Sequence, residues 1–390
     1  MTQEVGPHES SASVLRAGAA RILLLDELDR RQEALDTLSQ ARELGQRTRA
    51  YDELALVNAA AAVLQYSAGA WDAALAEVAA LQEFLPPYGT PPAAWLPWQA
   101  YGLAALISAL RGQEETADAL LAQVPEPERA VDADVRGQAG FALAARAARA
   151  EQAGRSDEAL DLLTESLSLD SAHVVELGQK TSWLPQLARL ALEAGRRDLL
   201  EAAALAAESE ASDSAARRAL AQFCRGLVER DADMLGAAAR YYRSANRRLE
   251  LGRVEEELAA LFAASGDPVN ARRHLAQALG AYVTLGARAE ARRVEARLRR
   301  SGVSVGSRAT APARSQLGWS SLTPLEVKVA EAVAEGMSNP EIGRALLLTQ
   351  RTVQVHVAHI LFKLGIGSRS LIVREVAFHS GTDGRSVDRG

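Results

Sequence analysis

Seven turn positions recur at a nearly constant interval, and that interval constrains the fold more than any other feature. They fall at Asp29, Gly69, Gly112, Gly154, Gly195, Asp231 and Gly266, in steps of 40, 43, 42, 41, 36 and 35 residues. The stretches between them are rich in alanine and leucine and poor in strand formers, and aromatic residues make up only 5% of the chain. Alanine and leucine favour helix. A step of this size accommodates two helices and a turn, and a single helix pair cannot bury its apolar face alone. Such units stack, and a repeat of this length is the signature of an α-solenoid. The expected fold class is therefore all-α.

Several units share a register. YSAGAWDAALAEVAAL at Tyr66–Leu81, EQAGRSDEALDLLTESL at Glu151–Leu167 and AASGDPVNARRHLAQAL at Ala263–Leu279 each place a small residue before Gly, then polar positions, then an Ala-Leu stripe. This pattern resembles tetratricopeptide repeats in a degenerate form, with a period longer than the usual one of about 34 residues in most units. The concave side of such a solenoid is expected to hold a protein partner or a small effector. Candidate groove residues are Trp71, Tyr88, Trp95, Trp98, Trp183, Tyr241 and Tyr242. The Pro-rich stretch at Phe84–Gln99 is read first as a long connection with core-anchored aromatics, and second as a lid. The arginine clusters at 217–218, 247–248, 272–273 and 292–300 are expected on solvated helix faces.

The C-terminal residues have a different pattern, three short amphipathic segments separated by a glycine turn and a threonine cap. Thr323 fits an N-cap, Pro324 the first helical position and Glu326 a capping box. Val329, Ala332 and Val333 recur at helical spacing, and Gly336 ends that helix. Ser338 and Glu341 fit a second capping box, ahead of an apolar face of Ile342, Ala345 and Leu346. Thr349 caps a third helix running to about Leu364, whose buried stripe is Val353, Val357, Ile360, Leu361 and Leu364. A helix of this kind fits the major groove of DNA, and its exposed N-terminal face meets base edges.

These residues resemble the LuxR-type (GerE-type) helix-turn-helix of bacterial transcription regulators. The matching pieces are LTPLE at Leu322–Glu326, EGMSNPEIGRAL at Glu335–Leu346, TQRTVQVHVAHIL at Thr349–Leu361 and KLGIGSR at Lys363–Arg369, covering about 50 of the 390 residues. The resemblance implies a four-helix domain whose third helix reads the groove. Its fourth helix, about Ser368–His379, packs two copies together. By resemblance, Gln354, Val355 and Ala358 face bases, while Thr352 and Lys363 lie near phosphates. The backbone amides of Thr349, Gln350 and Arg351 can hold a phosphate. His359 and Arg369 complete the expected DNA-binding set. The chain departs from the family pattern at Leu325, Ala358 and Phe362, and at Gly343, where a mid-helix glycine costs roughly 1 kcal/mol.

Charge divides the chain. Residues 318–380 carry six Lys or Arg and five Glu, while the whole chain has a net charge of −6, which leaves residues 1–301 at about −9. The front part therefore repels a phosphate backbone, and DNA contact is left to the tail. A surplus of one positive charge is small for a nucleic-acid binder, so binding is expected to depend on a homodimer on double-stranded DNA. An alternative stays open: a protein-interaction scaffold whose helix-turn-helix is vestigial and no longer binds DNA.

Other chemistry is not visible in the sequence. His356 and His359 lack a further ligand at metal spacing, so no metal is expected. No phosphate-binding G-x-x-x-x-G-K-[S/T] loop occurs, and Gly178-Gln179-Lys180-Thr181 lacks the glycine before lysine. The chain resembles the last two parts of large ATP-binding LuxR-type regulators without their ATPase. No enzyme activity and no cofactor are expected. The single cysteine, Cys224, lies in an apolar run and is expected to be a small buried hydrophobe. With no signal peptide or membrane span in the sequence, a cytoplasmic location is expected. The expected domains are a disordered start at 1–12, a tetratricopeptide-like helical repeat domain at 13–301, a flexible linker at 302–317, the helix-turn-helix domain at 318–380 and a disordered tail at 381–390.

Overall fold

The chain reverses at the expected turns. The computed structural model describes residues 7–82, 96–124, 140–165, 180–209, 214–303, 324–346 and 369–382, with isolated positions elsewhere that include Trp319, Leu322, seven helical residues between 353 and 364, and Ile366. At six of the seven turn positions φ lies between 56° and 78°; at the remaining one Arg230, with φ of 55°, precedes Asp231. The next residue then donates its backbone N–H five residues back, as in Arg30 to Leu25 at 2.8 Å, Arg155 to Ala150 at 2.8 Å and Asp267 to Phe262 at 2.9 Å. This left-handed closure satisfies carbonyls that a helix end leaves open.

The chain is all-α. Among the described residues there are eighteen helices and no strand. The first fifteen are α1 (Pro7–Glu27), α2 (Arg31–Thr48), α3 (Tyr51–Ser67), α4 (Trp71–Gln82), α5 (Leu96–Arg111), α6 (Glu114–Leu121), α7 (Gly140–Gln152), α8 (Ser156–Glu165), α9 (Lys180–Glu193), α10 (Arg197–Ser209), α11 (Ala215–Glu229), α12 (Ala232–Ser244), α13 (Arg248–Ala264), α14 (Pro268–Leu285) and α15 (Arg288–Arg300). The chain divides into two compact units, 1–305 and 306–390.

In the first unit, consecutive helices form antiparallel hairpins, and odd-numbered helices pack on one another. Burial follows from that position. Even-numbered helices bury one stripe, such as Ala34, Leu38, Ala41 and Gly45 of α2. An inner helix such as α3 has neighbours on several sides and buries ten residues from Leu54 to Tyr66. Small residues permit the close crossings: a Cβ on Gly102 of α5 would sit 2.8 Å from the backbone nitrogen of Ala142 in α7.

The structure differs from the sequence-based expectations in four respects. Residues 7–12, expected to be disordered, belong to α1. Pro7 fits the first helical position, and the lack of apolar periodicity in 7–12 concealed a polar extension of the amphipathic segment after it. The second correction concerns the open concave groove, because the superhelix closes on itself. Arg247 donates to the Asp26 carbonyl at 2.7 Å and to Asp29 at 3.2 Å, while Arg217 and Tyr241 bond Glu27 and Asp29. The inner helices converge on a cavity of only about 10 Å³, lined by Leu110, Gln186, Arg189, Phe223, Arg253 and Glu290 among others. That is room for about one water.

Third, three of the aromatic residues assigned to the groove are core residues instead. Trp71, Trp183 and Tyr242 are buried, and Tyr66 stacks on Trp71 with ring centroids 6.0 Å apart. Tyr88, Trp95 and the side chain of Trp98 lie outside the described residues. Fourth, several arginines expected on solvated faces form a mostly buried ionic layer. Glu256, fully buried, accepts from Arg293 at 2.6 and 2.7 Å, from Arg297 at 2.7 Å and from the Tyr282 hydroxyl at 3.1 Å. Glu257 pairs with Arg297 at 2.5 Å, and Glu255 with Arg243 at 2.5 Å and His274 at 2.6 Å. Burial raises the pKa of Glu256, but Arg293, Arg297 and Arg189 outweigh it and hold the carboxyl well below the usual carboxylate range. Cys224 is buried as expected, and burial pushes its thiol up to about 12.

Candidate nucleic-acid interface

The second unit is built around α16 (Pro324–Ala334), α17 (Asn339–Leu346) and α18 (Arg369–Thr382), with helical positions at 353–354, 356–357, 360–361 and 364 between the last two. Its core joins Val329, Ala330, Val333, Ile342, Val353, Val357, Ile360, Ile372 and Val376, all buried. The spacing of Val353, Val357 and Ile360 places one face of the third helix inward. The inward stripes expected in the first and third helices are thus present, and in α17 Ile342 is buried as expected. Ala345 is exposed, so the apolar face of α17 is narrower than expected.

Local chemistry fixes the junctions. Gly336 has φ of 84°, and Met337 donates to the Ala332 carbonyl at 3.1 Å, which ends α16. The Glu341 carboxylate accepts from the Ser338 backbone N–H at 2.7 Å and from its hydroxyl at 2.6 Å, anchoring the start of α17. Those bonds hold the Glu341 carboxyl below its ordinary range. Ile366 donates to Leu361 at 3.0 Å where the third helix finishes. The fourth helix runs to Thr382, past the expected end of the domain at 380.

Two of the ten expected DNA-binding residues lie within the described set. Gln354 is helical and exposed, one position from buried Val353. Arg369 is a strut: its guanidinium donates to Asn339 Oδ1 at 2.6 Å and to the Met337 carbonyl at 2.5 Å, tying α18 to the turn between α16 and α17. Sequence reasoning missed this part for Arg369, because the signal is a pairing across 30 residues that no local pattern reveals. Thr349, Gln350, Arg351, Thr352, Val355, Ala358, His359 and Lys363 lie outside the described residues. His356 is half-buried, and its Nδ1 has no hydrogen-bond partner among the described residues.

Two large apolar side chains of α18 are exposed. Phe378 is 69% exposed and Val373 41% exposed. Trp319 stacks on His379 with centroids 4.9 Å apart, covering the end of the helix near Phe378. Among the described residues, no helix is long and apolar enough to cross a membrane.

Residues 320–376 match the family described as bacterial regulatory proteins, luxR family. A putative HTH-type transcriptional regulator of Mycobacterium tuberculosis (strain CDC 1551 / Oshkosh) is 48% identical over 66 residues, 17% of this chain and 7% of that protein. The tetrathionate response regulatory protein TtrR of Salmonella typhimurium is 38% identical over 72 residues, covering 18% of this chain and 35% of TtrR. The transcriptional regulatory protein LiaR of Bacillus subtilis is 36% identical over 78 residues, 20% of this chain and 32% of LiaR. The chain thus covers about a third or less of the length of these relatives, and the likeness to each spans no more than a fifth of this chain. No solved structure matches the chain. The C-terminal unit carries a LuxR-family helix-turn-helix domain.

Proposed function

We propose that this chain, whose residues 320–376 form a luxR-family helix-turn-helix domain, is a DNA-binding transcription regulator. The third helix of that domain enters the major groove, and the helical repeat unit senses an effector or partner. The observation that carries this reading is one helix with Val353, Val357 and Ile360 buried and Gln354 exposed, inside the match to the bacterial regulatory proteins of the luxR family. Gln354, Val355, Ala358 and His359 face base edges. Thr352, Lys363 and the backbone amides of Thr349, Gln350 and Arg351 hold phosphates. Arg369 acts by fixing the fourth helix against the turn before the second. Two large apolar side chains of α18, Val373 and Phe378, stand exposed on this small domain, and covering them is what favours a homodimer on DNA. We further propose a domain order of helical repeats, linker and reader, with the linker at 302–317.

Two substitutions test the docking. Lys363→Ala should weaken binding to every duplex and lower the log–log salt slope by about one, whereas Gln354→Ala should change which sequence is preferred. The readout is fluorescence titration against a selected duplex and a scrambled one. If neither substitution changes binding, this docking is wrong. A scaffold with a vestigial reader is the second reading, favoured by the surplus of only one positive charge in residues 318–380. It predicts no duplex retention at any salt concentration.

A further inference from the structure

The axial cavity holds about one water, but a second cavity lies at the turn end of the later hairpins and is far larger, about 260 Å³. A water in the liquid occupies about 30 Å³, so the space takes on the order of eight or nine water-sized groups. Its walls include Leu192 of α9, Leu227 of α11, Leu235 of α12, and Ala260 and Leu261 of α13. Leu192, Ala260 and Leu261 are only half-buried, so apolar surface faces solvent inside a concavity. Burying such surface favours an apolar occupant.

The polar lining groups sort into committed and free. Arg297 donates to Glu257 at 2.5 and 3.0 Å and pairs with Glu193 at 2.9 Å and with buried Glu256 at 2.7 Å, so its guanidinium is committed to carboxylates at the base of the cavity. Arg230 differs. It sits exposed in the left-handed turn after α11, its backbone N–H bonds Gly226, and its guanidinium has no partner among the described residues. The neighbouring Asp231 turns its carboxylate to α12, which it caps through the N–H groups of Asp233 and Met234. An apolar space with one uncommitted cation at its wall is complementary to a molecule with an apolar body and a single anionic head.

We propose that this cavity is a ligand site for a small monoanionic acid of about ten non-hydrogen atoms in all, its acid group paired with Arg230 and its apolar body against Leu192, Leu235 and Leu261. The site rests on the reading of the repeat unit as a sensor and gives that sensor a location. Its base is Arg297, on α15, the last helix before the chain passes to the reader unit. An occupant therefore touches a residue held in the ionic layer of that helix, and differential contact of this kind is what a ligand needs to shift an equilibrium.

The test uses full-length protein and calorimetric titration with phenylacetate, its neutral amide and the cationic phenethylamine. Phenylacetate should bind at least tenfold more tightly than the amide, and the amine should not bind. Arg230→Gln should abolish the preference for the acid over the amide. Ala260→Trp fills the cavity and should abolish both, with circular dichroism confirming that the helical fold is kept. Equal affinity for acid and amide, no binding of the acid to the unaltered chain, or acid preference unchanged in Arg230→Gln would each overturn the proposal. Duplex binding is measured on the same samples. DNA retention without acid binding refutes the ligand site alone, while acid binding without DNA retention refutes the regulator reading and leaves the site standing.

Discussion

Glu256 shows how much a single buried carboxylate can control. It is fully buried, two arginines and a tyrosine bond it, and a third arginine lies within electrostatic reach. Breaking such a pair leaves uncompensated charge in a low-dielectric interior, at a cost of about 3–5 kcal/mol. Glu256→Gln should therefore destabilise the chain by about 3 kcal/mol in urea denaturation at neutral pH. Because the folded-state pKa is depressed, the stability from Glu256 is fully present above the unfolded value of about 4.3 and is lost as pH falls towards the folded value. Denaturation series at neutral pH and below pH 4 should show the deficit of Glu256→Gln shrinking with acid. An unchanged deficit would mean that the charge on Glu256 contributes nothing. The residue scale was also where the sequence was least readable. Glu255, Glu256, Glu257, Arg293 and Arg297 look like the charge pattern of a solvated face, and a helix enclosed by others has no such face. The turns were readable because a left-handed residue followed by a new polar start is local chemistry.

At the scale of elements, helix stripes were legible wherever one face is buried and the other is wet. Val329 and Val333 in α16, and Val353, Val357 and Ile360 in the third helix, fall inward as their spacing requires. Where the chain lacks that contrast, as at residues 7–12, the helix could not be seen. Half of the interface logic was similarly hidden, since Arg369 reaches back to Met337 and Asn339 across the fold. The exposed face of α18 leads to a prediction at this scale. Val373→Ser combined with Phe378→Ser removes apolar surface that is 41% and 69% exposed in the isolated chain, so folding stability should change by less than about 1 kcal/mol. Cooperative binding to a two-half-site duplex should nevertheless fall by at least tenfold, read by analytical ultracentrifugation and gel shift. Unchanged cooperativity would move the dimer contact elsewhere.

For the molecule as a whole, stacked helix pairs do not necessarily leave a groove. The period of the turns made a solenoid legible, but closure depends on partners more than 180 residues apart, Arg217 with Glu27 and Arg247 with Asp29. A cavity of about 10 Å³ lies among the inner helices, and a larger one opens at the turn end, where Arg230 and Arg297 lie. The chain thus combines an acidic, closed helical unit with a small helix-turn-helix unit of nearly balanced charge, a division that fits the proposal that DNA contact falls to the smaller unit. The decisive measurement is selection of full-length protein on a pool of random duplexes at low and moderate salt, followed by sequencing of the retained DNA. Retention that weakens with salt, and a recovered motif of two half-sites about one helical turn apart, is the predicted result. No retention even at low salt would contradict a DNA-binding regulator and leave the scaffold reading.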